Sequence, residues 1–133
     1  MNPAARTDIQ DREHIVLLVD TFYDKVRVDV VLGGVFNGVI GDRWPEHLEK
    51  MYRFWATVLI NEGSYSGAPV RPHLDMPIGG QHFQRWLELF HGTVDDLFQG
   101  PVADLAKRNA DRMAEMFQER INRYRERPTQ HIQ

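Results

Sequence analysis

Apolar side chains recur at helical spacing in four stretches of the chain. Ile15, Leu18, Val19, Phe22 and Val26 predict a helix from about Asp11 to Asp29. The run Leu32-Gly33-Gly34-Val35-Phe36-Asn37-Gly38 then breaks the pattern and is expected as a turn, since glycine and asparagine favour turns. A second helix is expected to open near Asp42, with Pro45 in its first turn, where a missing N–H is tolerated. It carries Leu48, Met51, Tyr52, Phe54, Trp55, Val58 and Leu59 and stops near Glu62-Gly63. Phe83, Trp86, Leu87, Phe90, Val94, Leu97 and Phe98 predict a third helix from about Gln81 to Phe98. Beyond Gly100-Pro101, a fourth is expected from about Val102 to Arg125, on Val102, Leu105, Met113, Phe117, Ile121 and Tyr124. Arg120, Arg123, Arg125 and Arg127 cluster at its carboxyl end, where cations suit the helix dipole. Strand alternation, repeats and a domain linker are all missing from the pattern. The expectation is one all-α domain over residues 1–133, with 1–10 and 128–133 as flexible tails.

The connection from Ser64 to Gly80 is different in kind. Gly67, Pro69, Pro72, Pro77, Gly79 and Gly80 exclude a long regular element there. Connections of that length in a small domain are often functional. With 133 residues, 42% hydrophobic and 26% charged, the chain can build one core and enclose one ligand. A net charge of −3 excludes a basic platform for nucleic acid. No apolar run approaches the ~20 residues needed to span a bilayer. Arg6, Asp8, Asp11 and Arg12 stand where a signal peptide would need an apolar core, so a cytoplasmic protein is expected. Cysteine is absent, which excludes disulfides, thiolate ligands, thiol catalysis and covalent haem attachment through C-x-x-C-H.

A few polar groups stand on or between the apolar stripes. His47 lies four residues before Met51 and seven before Phe54, so all three share a helical face. Taken singly, it reads as a hydrogen-bonded histidine at the edge of a core; the alternative is a group that meets a ligand in a pocket. His73 follows Pro72, which restrains the backbone around it; it reads either as a loop histidine or as an imidazole aimed at a metal. Tyr23 shares a face with Val19 and Val26, and its hydroxyl serves either a backbone partner or a bound ligand. Trp86, between Phe83 and Phe90, reads as core packing or as an indole donor into a pocket. His14, His82, His91 and His131 read as ordinary histidines. Glu88 and His91 form a single E-x-x-H, where a carboxylate-bridged bundle site needs two such pairs and further glutamates. Asp95 and Asp96 are adjacent and read as solvated, and Gly33-Gly34 lacks the lysine of a phosphate loop. Taken together, the set has what a haem pocket needs: one imidazole for iron, polar groups opposite it, and apolar walls.

The order and spacing of these pieces resemble the truncated haemoglobins, most of all their third group. The matching residues are Phe22-Tyr23-Asp24-Lys25-Val26, Val35-Phe36-Asn37, Trp44-Pro45-Glu46-His47 and Phe54-Trp55. They continue with GAPVRPHLDMP from Gly67 to Pro77, then Phe83 and Trp86-Leu87-Glu88-Leu89-Phe90. The resemblance spans about Ile15 to Tyr124. It implies a shortened globin, a two-on-two helical sandwich around a non-covalent haem b, in which the first and second helices cross the third and fourth. It implies His73 as the proximal iron ligand, and Tyr23, His47 and Trp86 on the distal side. Phe36 is implied to pack on the haem plane, with Leu32, Met51, Phe54, Leu74 and Phe83 as apolar walls. Arg71 is a further candidate, paired with a haem propionate. His47 has three implied roles: a gate, a third polar group, or a competing sixth ligand.

The implied activity is reversible binding of dioxygen and other diatomic gases, NO and CO, in a polar distal pocket. Such a pocket suits chemistry on the bound ligand, such as NO dioxygenase or peroxidase-like detoxification. No reductase domain is visible in the chain, so turnover would draw on an external reductase. The competing class is a haem-free, globin-like sensing or ligand-binding module that uses the same aromatic cavity. Pro72-His73-Leu74 discriminates between them, because a haem-free module has no need for an imidazole there.

Overall fold

Asp11 starts the first helix by accepting the His14 N–H at 3.0 Å, which satisfies one of the orphan donors of a helix start. In this computed structural model, which describes residues 6–61 and 79–126, helix α1 runs Arg12–Val28. Its inner face carries Ile15, Leu18, Val19, Phe22, Tyr23 and Val26, all buried. That is the predicted stripe with Tyr23 added.

The predicted turn after α1 is instead a helix, α2, Gly33–Ile40. Two causes outweigh the turn propensity of its glycines. Asp29 accepts the N–H groups of Val31 and Leu32 on its carboxylate (2.9 and 3.0 Å), and its carbonyl accepts the Gly33 N–H at 2.8 Å. Leu32, Phe36 and Ile40 then recur every four residues and are buried. Their burial offsets the helix cost of ~1 kcal/mol per glycine. Gly33 is required for another reason: a Cβ there would stand 2.8 Å from the Arg27 carbonyl oxygen, so α2 could not approach α1 this closely.

Helix α3, Trp44–Ile60, has Pro45 in its first turn and ends at Asn61 in the left-handed conformation (φ 58°). Helix α4 spans Gly80–Leu97 and α5 spans Pro101–Glu126. The start of α5 is capped from a distance. Asp8 accepts the N–H groups of Val102 and Ala103 at 2.9 and 2.8 Å, and the Thr7 carbonyl accepts the Gln99 N–H at 2.9 Å. Residues 6–10 are therefore no flexible tail: Ile9 is 2% exposed and belongs to the core. Gly100 makes room for this strap, since a Cβ on it would lie 2.5 Å from the Asp8 side chain.

The helices form two layers. Helix α1 packs on α2, α3 and α4, while α4 packs on α5 and α3 meets α5. The α1/α3 pair thus lies over the α4/α5 pair, the predicted two-on-two sandwich. On α5 the buried positions are Ala103, Ala106, Ala110, Ala114 and Ile121, whereas Leu105, Met113 and Phe117 are half-buried. Pattern reading favoured the large residues, whereas the buried face of α5 is built mostly of alanines. The layers are pinned by aromatic rings. Phe90 stacks on Trp55 (4.9 Å, 20°) and on Trp86 (5.4 Å, 2°), and Phe22 meets Phe90 and Trp86 edge-on. One cluster thereby ties α1, α3 and α4.

Asp29 also accepts Arg85 Nε at 2.8 Å and so links the α1–α2 corner to α4, its carboxylate almost wholly enclosed. Burial alone would raise the Asp29 carboxyl, but the Arg85 hydrogen bond and the Leu32 and Val31 N–H groups outweigh it and hold the pKa below the usual 3.8. A depressed carboxyl stabilises the fold above its unfolded pKa and loses that contribution as pH falls through the folded value. Asp29→Ala should lower the free energy of unfolding by about 1–3 kcal/mol at neutral pH, measured by urea denaturation. The gap to the wild type should persist above about pH 4 and shrink only in more acid solution. A gap that is constant into strong acid would show that the charge on Asp29 is not what stabilises the corner.

Candidate functional site: an aromatic cavity between the layers

The helices enclose a cavity with an empty volume of about 780 Å³, counting the part open to solvent. Helix α1 contributes Tyr23. Leu32 and Phe36 come from the α2 region, and His47, Met51, Phe54 and Trp55 from α3. Helix α4 adds His82, Phe83 and Trp86, and α5 closes the far side with Met113, Ala114 and Phe117. His47, Met51 and Phe54 meet one space, as their spacing predicted. So do Tyr23, Trp86, Leu32, Phe36 and Phe83. His73, Arg71 and Leu74 lie outside the described residues.

The polar groups are held by aromatic edges. Tyr23 meets His47 edge-on at 5.2 Å, with Trp44 5.8 Å and Phe36 6.3 Å from its ring. Trp44 stands edge-on to His47 at 5.6 Å. Trp44 is itself fixed. Its indole N–H donates to Asn37 Oδ1 at 3.1 Å, the Asn37 amide donates to the Arg27 carbonyl, and the Arg27 guanidinium sits 4.6 Å above the Trp44 ring. Trp86 is oriented by Phe22 and Phe90. Tyr23 is 5% exposed, and burial raises its hydroxyl above the usual 10, so it stays a neutral O–H donor.

Sequence reasoning missed several members of this wall. His82 was read as an ordinary histidine, yet it faces the cavity one helical turn before Trp86; its i, i+4 relation to Trp86 was the available signal. Trp44 was quoted only for its resemblance, and its role as the backing of His47 and Tyr23 depends on a tertiary contact with Asn37. Met113, Ala114 and Phe117 come from the layer opposite α3, which no local pattern can announce.

The walls are apolar apart from Tyr23, His47, His82 and Trp86. Such a lining suits a large apolar group that presents a few polar atoms, and a haem fits it. With no cysteine in the chain, attachment would be non-covalent. A two-layer helical sandwich around an aromatic cavity is the architecture of a shortened globin.

Comparison with known proteins agrees. The family model for bacterial-like globins matches residues 8–122. The group 3 truncated hemoglobin of Campylobacter jejuni is 36% identical over 118 residues, covering 86% of this chain and 93% of that protein. The crystal structure of the group III truncated hemoglobin from Campylobacter jejuni aligns with a TM-score of 0.79 at 35% identity, over 87% of this chain and 94% of that one. The chain belongs to the bacterial-like globins, within the truncated haemoglobins and alongside their third group. Membership implies haem binding. No helix among the described residues is long and apolar enough to cross a membrane.

Burial makes a direct prediction about Tyr23. Tyr52, also on α3's side of the fold, is pushed up to about 12 by burial and by its hydrogen bond to Asp20. Tyr23 should resist ionisation at least as strongly while the chain stays folded. In a spectrophotometric titration, Tyr23→Phe should therefore match the wild type up to about pH 11. Loss of one titrating group below that pH would show that water reaches the Tyr23 hydroxyl freely.

Proposed function

We propose that this chain binds one b-type haem in the cavity, without a covalent bond, and reversibly holds dioxygen and other diatomic gases there. When bound, the haem iron supplies the coordination site for the gas. His73 would hold the iron through its imidazole, on the place of Pro72-His73-Leu74 in the family pattern. The observation that carries the reading is the convergence of Tyr23, His47 and Trp86, from three different helices, on one apolar-walled cavity. The roles follow from the donors. Tyr23 O–H and the Trp86 indole N–H each donate a hydrogen bond to a gas molecule held in the cavity. His47, on the same side as Tyr23, gates the pocket or adds a third polar contact. Leu32, Phe36, Met51, Phe54 and Phe83 exclude water from the bound group. Arg71 and Leu74 complete the haem surroundings on the family pattern.

Two donors that hold the gas slow its escape, and this favours chemistry on a retained ligand over rapid delivery. NO or peroxide detoxification, with electrons from an external reductase, is the activity that fits such retention. A cytoplasmic location accords with the absence of cysteine.

The visible spectrum of the haem-reconstituted protein tests the reading. One haem per chain is expected, with a sharp Soret band that shifts when carbon monoxide is added to the reduced form. Uptake of no stoichiometric haem would sink the assignment and leave a helical module with an apolar cavity. His73→Ala should abolish stable haem binding. Tyr23→Phe and Trp86→Phe should each speed dioxygen dissociation roughly five- to tenfold in stopped flow, at ~1 kcal/mol per lost hydrogen bond. An unchanged rate would remove that residue from the ligand's contacts.

A further inference from the structure

His82 is the polar cavity residue for which the gas-binding reading has no use. It occupies the third position of α4, and the Gly79 N–H donates to its Nδ1 at 2.9 Å. A neutral imidazole carries one proton, so acceptance at Nδ1 places the proton on Nε2. Among the described residues nothing takes a hydrogen bond from that Nε2–H. The ring is half-buried and lines the cavity beside Phe83 and one turn before Trp86, with Ala114 and Phe117 also on the wall. A donor so placed in an apolar wall, close to the positive end of α4 and with no acceptor among the described residues, suits an anionic acceptor at the edge of whatever fills the cavity.

We propose that His82 Nε2–H donates to a carboxylate of the bound haem and anchors its propionate edge. The inference rests on the haem reading above. It adds a binding residue in the first turn of α4, with its tautomer set by the N–H of its own helix cap. Because Nδ1 is already engaged, the ring cannot rotate to offer its other nitrogen without breaking the cap.

The test is the rate of haem loss to an excess of an apoglobin acceptor, followed in the Soret band, for the wild type, His82→Gln and His82→Glu. Gln and Glu at the third helical position can both accept the Gly79 N–H, so helix capping is kept in both. Gln still offers a donor; Glu offers none and brings a like charge to the carboxylate. Loss from H82Q should stay within about threefold of the wild type, and loss from H82E should be about tenfold faster or more, with unchanged far-ultraviolet circular dichroism. With the dimethyl ester of haem, which has no free carboxylate, the gap between H82E and H82Q should collapse to within about threefold. Equal rates for the two variants on free-acid haem would overturn the proposal, as would the same gap on the ester. Failure of the wild type to take up any haem would overturn the haem reading itself, and it is seen before any variant is compared.

Discussion

The stack of Trp55, Phe90 and Trp86 is the contact on which the rest of the structure depends. It takes one ring from α3 and two from α4, and Phe22 of α1 closes it edge-on. Three helices are fixed in angle and register by four side chains. Two of those rings, Trp55 and Trp86, also face the cavity. The core and the cavity wall are therefore one aromatic assembly, and the space between the layers is held open by rings that cannot move independently. Collapsing the cavity would disturb the packing of α1 on α4. That explains how a chain of 133 residues can keep a cavity at all.

The second constraint is the α1–α2 corner. Asp29 gathers two backbone N–H groups and the Arg85 guanidinium in one enclosed place. Arg85 is the neighbour of Trp86, and Leu32 and Phe36 follow the corner directly. A single carboxylate thus sets the position of α2's apolar face against the helix that carries the indole donor. On the far side, Asp8 does a similar task for α5, whose Ala114 and Phe117 close the cavity. Asp8 lies at the start of α5, where the backbone donors and the dipole favour negative charge, while Asp29 closes α1 and holds the two N–H groups that lead into α2.

Most of this was legible from the sequence where local pattern and tertiary packing agree. The four long helices, the shared face of His47, Met51 and Phe54, and the inward turn of Tyr23 all follow from helical spacing. The failures share a physical cause. Gly33, Gly34, Asn37 and Gly38 argue for a turn, and only the Asp29 cap and the burial of Leu32, Phe36 and Ile40 make them a helix. Asp8 and Ile9 look like a tail until their partners, 94 residues or so away, are in place. Alanines on α5 weigh little in a reading that looks for large apolar residues, yet Ala103, Ala106, Ala110 and Ala114 are its buried face. His82 fell inside the predicted third helix, one turn before Trp86, but helical spacing alone does not separate a cavity-facing histidine from an ordinary one.

The arrangement of donors carries the last step. Tyr23 and Trp86 belong to different helices, and neither ring is free to turn: Tyr23 is bounded by Phe22, Phe36, Trp44 and His47, and Trp86 by Phe22 and Phe90. Donors held this way need no reorganisation when an acceptor arrives, so little of each hydrogen bond is spent on ordering the side chain. Burial adds a second effect. It raises the Tyr23 hydroxyl's pKa, so the group offers a proton in a hydrogen bond without giving it up. A pocket that holds an acceptor by neutral donors retains a polarised small ligand without protonating it. On the proposed reading, the distal groups therefore retain the gas rather than drive its conversion.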